Sequence, residues 1–256
     1  MNAITIDGPA ASGKSSVGFE VARRLDFLFF DTGILYRAVT WAVLQQGIDV
    51  ADIEAVGQVA ERTRIDITAP GSQHRDGRQV TVTVDDKDVT WAVRTPRVDQ
   101  NVSTVAANHL VRQTLGVQQR RIGLRHGSAA GGKAGVVMMG RDIGTVILPE
   151  APLKIYLDAP VDERARRRQQ ELAARGRETD IARILEDMRL RDEVDSGRAI
   201  APLRPADDAH LIQTFGLSIP QVVEKIVLLA QTHLELGQAR PLDLTAPQEG
   251  TGALQE

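Results

Sequence analysis

The sequence predicts an α/β domain in which a parallel sheet is flanked by helices and interrupted by a short antiparallel insertion. Three observations predict it. Strand and helix patterns alternate through the first 47 residues, which implies right-handed βαβ units. A glycine-rich loop ending Gly13-Lys14-Ser15 sits between the first strand and the first helix. Short aliphatic runs then recur downstream at Gly135 to Met139, Leu153 to Asp158 and Ala209 to Gln213, as buried strands do.

Taken in order, Ala3 to Asp7 is a buried strand meeting the turn at Gly8-Pro9. Val17, Val21, Ala22 and Leu25 recur at helical steps. Phe27 to Phe30 is a second strand, and Thr32 is the expected N-cap of a helix carrying Tyr36, Arg37, Thr40 and Val43. Val80 to Val84 alternates strictly, and Asp85-Asp86-Lys87 turns it into a small hairpin with one wet face. That hairpin breaks the βα rhythm and places an insertion within about 62–95. Helices resume from Pro96 to Arg125, and Gly127 to Gly135 is a glycine-rich loop. Arginine-rich helices are expected near 161–175 and 180–195, and an amphipathic helix from Ser218 to about Leu236. The reading is one domain over 1–237, followed by a disordered tail at 238–256.

Composition narrows the chemistry. With 42% hydrophobic and 25% charged residues, the 256-residue chain has the balance of a soluble globule. It has no cysteine, which removes disulfides, thiolate metal sites and a thiol nucleophile and fits a cytoplasmic protein. A net charge of -3 argues against a nucleic-acid polymer as partner, and no apolar run is long enough to span a membrane. A monomer is expected. Ten arginines lie between Arg164 and Arg198 among eight acids, so most belong to an ion-paired surface and only motifs can single out binders. His74, His109, His126, His210 and His233 show no ligand spacing, and Trp41 and Trp91 are expected to be packing residues.

The motif Gly8-Pro-Ala-Ala-Ser-Gly13-Lys14-Ser15 matches G-x-x-x-x-G-K-[S/T] in the strand-to-helix setting it requires. With 22 glycines, five lysines and 25 serines plus threonines, chance gives roughly 0.004 such matches. Glycines let backbone N–H groups wrap a phosphate, and the helix N-terminus adds its dipole. Lys14 reaches the β- and γ-phosphates, and the Ser15 hydroxyl is the candidate Mg²⁺ ligand. A nucleoside triphosphate is therefore the expected ligand of Gly8, Pro9, Ala10, Ala11, Ser12, Gly13, Lys14, Ser15 and Ser16.

The guanine-reading N-K-x-D of GTPases is absent, and so is an apolar strand ending in two acids. Isolated arginines instead follow turns, at Arg37, Arg94 and Arg141. If 191–198 stays helical, Arg191, Asp195 and Arg198 share one face. Such arginines, aimed at the carboxyl ends of parallel strands, would clamp a second phosphorylated substrate.

The chain resembles the bacterial cytidylate kinases. The motifs are I-T-I-D-G-P-A-x-S-G-K-S at the start, D-T-G-x-L-Y-R-A-V-T at 31–40 and V-R-T-P at 93–96. They continue with G-R-D-I-G-T-V at 140–146, K-I-Y-L-D-A at 154–159, R-D-x-x-D-S-x-R at 191–198 and A-P-L-x-P-A-D-D-A at 201–209. The resemblance covers about 2–236. It implies an adenylate-kinase-like P-loop fold, ATP and Mg²⁺, and transfer of the γ-phosphoryl group to CMP or dCMP. It implies that the insertion belongs to a monophosphate-binding domain and that 160–180 is a short lid. Thr32, Arg37 and Arg141 are thereby assigned to the CMP phosphate, with Arg198 nearby. Ser103, Arg112 and Asp142 are assigned to cytosine, Arg191 and Asp195 to the ribose side, and Arg167 and Arg168 to the ATP phosphates. Lys14, Arg141, Arg167 and Arg168 form the implied catalytic set. For Arg164, Arg166, Arg167 and Arg168 a solvated helix face competes with the lid role. Where relatives carry Asp or Glu before G-R-D, this chain has Met139, leaving Asp7, Asp31 and Asp142 as nearby carboxylates.

Two rivals remain on the sequence alone. A shikimate-kinase-like enzyme would show D-x-D after the second strand, where here Asp31 is followed by Thr32-Gly33. A non-enzymatic P-loop switch would bind ATP without acceptor-dependent ADP release.

Overall fold

In the computed structural model, which describes residues 1–68, 74–128, 133–174 and 176–234, β1 (Ala3–Asp7) is buried at every position. That is why it reads as a continuous apolar run, as strands covered on both faces do. It passes through the glycine loop into α1 (Lys14–Leu25), which buries Val17, Val21, Ala22 and Leu25 along one stripe. β2 (Leu28–Asp31) and α2 (Gly33–Gln45) repeat the unit. Thr32 stands at the N-cap position but has helical backbone angles, and its hydroxyl donates to the Met139 carbonyl at 2.8 Å. The expected Thr32 side-chain cap is therefore corrected. Asp31 does that work, its Oδ1 accepting from the Gly33 N–H at 2.9 Å.

α3 (Ile53–Arg62) and β3 (Ile65–Thr68) were not foreseen, because their apolar residues face the main core from outside the βα rhythm. β4 (Thr81–Val84) and β5 (Lys87–Asp88) form the expected hairpin, and β3 adds to it antiparallel. Asp85 and Asp86 both take positive φ, 47° and 66°, as a two-residue hairpin turn demands. The helical stretch after Pro96 is two helices, α4 (Pro96–Ala107) and α5 (His109–Gly127). Asn108 divides them. Its Oδ1 accepts from Leu110 N–H while its Nδ2 donates to the Ile53 carbonyl. Residues 129–132 of the glycine-rich loop lie outside the described residues.

β6 (Val136–Gly140) ends in one turn of π-helix at Ile143–Ile147, a rare geometry often found at functional sites. β7 (Leu153–Asp158), α6 (Val161–Ala173), α7 (Ile181–Ser196), β8 (His210–Gln213) and α8 (Ile219–His233) complete the chain. Because α7 ends at Ser196, Arg198 does not continue the helical face of Arg191 and Asp195. Trp91 also departs from expectation. It is 49% exposed and its indole N–H donates to Asp76, so it is no core residue, whereas Trp41 packs against the core. The tail at 238–256 lies outside the described residues, among which no helix is long and apolar enough to cross a membrane.

The sheet order is β2-β6-β1-β7-β8, all parallel. α1 and α8 cover one face, where Val17 and Val21 meet Ile4, Ile6, Val223 and Ile226. α2 and α5 cover the other, where Leu35, Val39 and Leu115 meet Phe30 and Met138. β1 lies centrally, with neighbours reached by crossovers in opposite directions, the switch point at which open parallel sheets bind ligands. Register aligns Asp7 with Gly140 and Tyr156, and Asp31 with Met139, so the loops that follow share one cleft.

Candidate active site

The glycine loop is a built cradle. A Cβ on Gly8 would lie 2.1 Å from the Leu157 carbonyl oxygen, and the residue sits at φ 147°, so both space and backbone require glycine. Ala11 is held at φ 56°, a strained angle for alanine of the kind found at ligand sites. Lys14 is buried, and its Nζ donates to the Pro9 carbonyl at 2.6 Å and to Ser12 Oγ at 3.3 Å. Burial, together with the Arg141 charge, pushes its ammonium well below the usual lysine range. Ser15 and Ser16 are exposed in the first turn of α1.

Two elements pin the cradle from outside. Thr214 Oγ1 donates to the Ser12 carbonyl at 3.3 Å, and Arg164 Nη1 donates to the Ala10 carbonyl at 3.2 Å. Arg164 is only 4% exposed, so the solvated-face reading of this arginine is wrong. It also bonds the Ala159 carbonyl and Asp192 of α7, at 3.0 and 2.5 Å. Arg167 reaches Thr214 at Oγ1 and at the carbonyl, 2.9 and 3.0 Å, and thus borders the cradle indirectly. Arg166 keeps the surface role, with a side chain 65% exposed.

Opposite the cradle, guanidinia converge from α2, α5, α7, the turn after β6 and the segment beyond α7. Arg141 Nε donates to Asp195 Oδ2 at 2.9 Å, and Arg198 pairs with Asp195 Oδ1. Burial alone would raise the Asp195 carboxyl, but Arg141, Arg198 and Arg191 hold it below its usual range. Arg191 is the reverse case: burial and the neighbouring Arg141 push it down to about 10, still fully charged at neutral pH. The Nε–H groups of Arg112, Arg191 and Arg198 are buried without a hydrogen-bond partner. Buried donors left unpaired are costly, and three in one cleft fit an anionic ligand. Arg37, on α2, donates to the Val93 carbonyl at 3.1 Å and pairs with Asp99 of α4 at 2.7 Å.

Arg112 and Asp142 face one another at 2.5 Å, both side chains 6% exposed. Arg112 also lies 5.6 Å from the Tyr36 ring and donates to the Ala106 carbonyl. Arg112 is thus buried rather than on the solvated face of α5, because α5 turns this position toward the β6 exit. Ser103 is half-buried on neighbouring α4. Asp7 anchors the Arg141-Asp142 turn: its two oxygens accept from the Ile143 and Gly144 N–H groups at 3.0 and 2.8 Å. Burial nevertheless pushes its carboxyl up to about 6. Asp31, half-buried but surrounded by protein, is raised as well. Met139 points into the apolar layer with Ile6 and Val17, while its carbonyl takes the Thr32 hydroxyl. For Mg²⁺, which prefers oxygen ligands, the exposed Ser15 hydroxyl and the carboxylates ending β1 and β2 fit as a donor set. No group of three or more His, Asp or Glu side chains that could hold a metal ion occurs among the described residues.

Sequence reading missed Asp99, Asp192, Thr214 and the burial of Arg164. Each matters through a partner distant in sequence, and nothing local marks it. Of the histidines, all expected at the surface, His233 is exposed, but His210 is half-buried with its Nε2 3.4 Å from that of His233, and His126 is half-buried with its Nδ1 buried and without a hydrogen-bond partner.

Comparison with known proteins places the chain in a family. A family profile described as cytidylate kinase matches residues 4–232. A cytidylate kinase of Roseiflexus castenholzii is 49% identical over 224 residues, covering 88% of this chain and 91% of the relative. Those of Herpetosiphon aurantiacus and Exiguobacterium sibiricum are 46% and 43% identical, over 88% and 91% of this chain and 92% and 98% of theirs.

Proposed function

The chain belongs to the cytidylate kinase family, and we propose how its residues carry that reaction: the γ-phosphoryl group of ATP passes to CMP, with dCMP as a second acceptor. The observation that carries the reading is the three unpartnered Nε–H groups of Arg112, Arg191 and Arg198 in one cleft with Arg141. Arg141 and Arg191 are close enough to Lys14 to lower its pKa, so the anion clamp adjoins the P-loop.

The loop from Gly8 to Ser16 wraps the triphosphate, and Lys14 leaves its Pro9 bond for the β- and γ-phosphates. Arg37, Arg141 and Thr32 hold the acceptor phosphate, with Arg198 alongside. Arg191 and Asp195 stand at the ribose, and Ser103, Arg112 and Asp142 at the base. An acceptor phosphate oxygen attacks Pγ, the bond to the β–γ bridging oxygen breaks, and ADP leaves. No strong base is needed, since the nucleophile is already anionic, so the residues mainly position reactants and offset charge. Ser15 would hold Mg²⁺, which when bound would add to the neutralisation of the triphosphate charge. Arg167 and Arg168 of α6 approach the triphosphate when the lid at 160–180 closes and excludes water. The unit spans 1–237 and works in the cytoplasm as a monomer.

The test is ADP formation in a coupled assay with CMP, dCMP, UMP, AMP and shikimate. ADP release that depends on CMP and dCMP is expected. Release independent of any acceptor would leave a P-loop ATPase or switch, and dependence on shikimate would reassign the acceptor.

A further inference from the structure

Asp99 lies in the first turn of α4 and touches arginines from two other elements. Its Oδ1 takes Arg37 Nη2 of α2 at 2.7 Å, and its Oδ2 takes Arg168 Nη2 of α6 at 3.5 Å. Each oxygen therefore serves a different guanidinium, as two oxygens of a phosphate would. Arg37 is braced from behind by the Val93 carbonyl, and Arg168 by Glu171 at 2.8 Å. The three side chains are 20–27% exposed, so an incoming anion can reach them. Asp99 also acts on the Arg191 charge, which places its carboxylate within the field of the clamp.

We propose that Asp99 is the internal counter-ion of the phosphate clamp. It holds Arg37 and Arg168 together while the acceptor seat is empty, and yields Arg37 to the phosphate of the monophosphate and Arg168 to the triphosphate. The inference rests on the assignment of Arg37 to the acceptor phosphate. Glu171 already balances Arg168, so Asp99 is the acid that masks Arg37, and a phosphate dianion in its place makes the stronger charge-assisted bonds. Because Arg168 belongs to α6, its release to the triphosphate links filling of the cleft to the position of the lid. A helix-terminus role alone would make Asp99 a favourable first-turn acid with no effect on anion affinity.

The experiment compares Asp99→Asn and Asp99→Glu with the parent, measuring KM for CMP, acceptor-independent ATP hydrolysis, and orthophosphate binding by calorimetry. For partly exposed charges, Asp99→Asn is expected to lower the KM and tighten orthophosphate about two- to fivefold. Acceptor-independent hydrolysis should rise, while Asp99→Glu stays near the parent. A KM and an orthophosphate affinity that are unchanged or weakened, in a variant with the parent's melting temperature, would overturn the proposal. If Asp99→Asn does not fold, Asp99→Ser carries the same measurement. The orthophosphate arm needs no turnover. It decides the role of Asp99 even if the parent shows no CMP-dependent ADP release, an outcome that would instead defeat the functional reading.

Discussion

On the donor side, all the groups from Gly8 to Ser15 lie in eight consecutive residues, and most of what they offer is backbone. On the proposed acceptor side, the guanidinia come from α2, α5, α7, the turn after β6 and the segment beyond α7. The donor side depends on angles, with Gly8 at φ 147° and Ala11 at φ 56°. The acceptor side depends on charge balance, with Asp195 shared by Arg141 and Arg198 and Asp142 bound to Arg112. A cradle of N–H groups tolerates side-chain change outside its glycines and lysine. A clamp of paired charges loses two interactions whenever one partner is removed.

The largest expected effect tests whether the two sides are separable. Lys14→Ala should lower kcat by about 10²–10³-fold or more, since its ammonium meets charge on the transferring group. CMP affinity measured by calorimetry should hardly change. An equal loss of CMP binding would show that the sides form one unit.

Asp7 is the seam between them, ending β1 before the cradle and anchoring the Arg141-Asp142 turn. Its folded carboxyl titrates near 6 against an ordinary 3.8, chiefly through burial. Between those values the folded state binds more protons than the unfolded state, so stability falls as pH rises from 4 to just beyond 6 and then levels. At 1.36 kcal/mol per unit, the loss amounts to about 3 kcal/mol at most. Urea unfolding of the parent and of Asp7→Asn from pH 4.5 to 7.5 reads it. The parent's advantage should shrink with pH, and parallel curves would mean that Asp7 ionises normally.

A smaller effect probes the clamp alone. Arg37→Lys and Arg141→Lys keep the charge but lose the planar fork, and each should cost about 2 kcal/mol in kcat/KM for CMP with ATP saturating. If both variants turn over CMP as the parent does, point charge suffices and bidentate geometry is irrelevant.

The same contrast explains what could be read from the sequence. The central strands β1, β6 and β7 announce themselves because burial on both faces leaves near-continuous apolar runs, and the cradle because its chemistry is contiguous, whereas edge strand β8 buries only Ile212 and leaves Leu211 65% exposed. α3 and β3 escape notice since Ile65 and Ile67 pack only one partly covered face. Arg164 and Arg166 are two positions apart on one helix, yet one is buried against the Ala10 carbonyl and the other is in water. Only the placement of α6 over Ala11 separates them, and composition cannot encode that. The resemblance assigned Arg112 and Asp142 to the base without revealing that they bond each other.

That pair gives the smallest and most specific prediction. Cytosine offers an exocyclic amino donor and an N3 acceptor, whereas uracil offers an oxygen acceptor and an N3–H donor. The Asp142 carboxylate can accept from the amino group, as acids do when reading cytosine in nucleic acids. The Arg112 guanidinium can donate to N3 or O2, having an unpartnered Nε–H beyond its bond to Asp142. Uracil sets O4 against the carboxylate and N3–H against the guanidinium, mismatching both edges in a site where each side chain is 6% exposed. Asp142→Asn keeps the shape but can turn its amide to suit either base. It should narrow the CMP-to-UMP ratio of kcat/KM by about tenfold, near 1.4 kcal/mol, chiefly by weakening CMP. Measuring both substrates in one protein cancels the stability lost when Arg112 surrenders its partner. A ratio equal to the parent's in a folded variant would free Asp142 from base reading, and the acceptor side would then be a phosphate clamp alone.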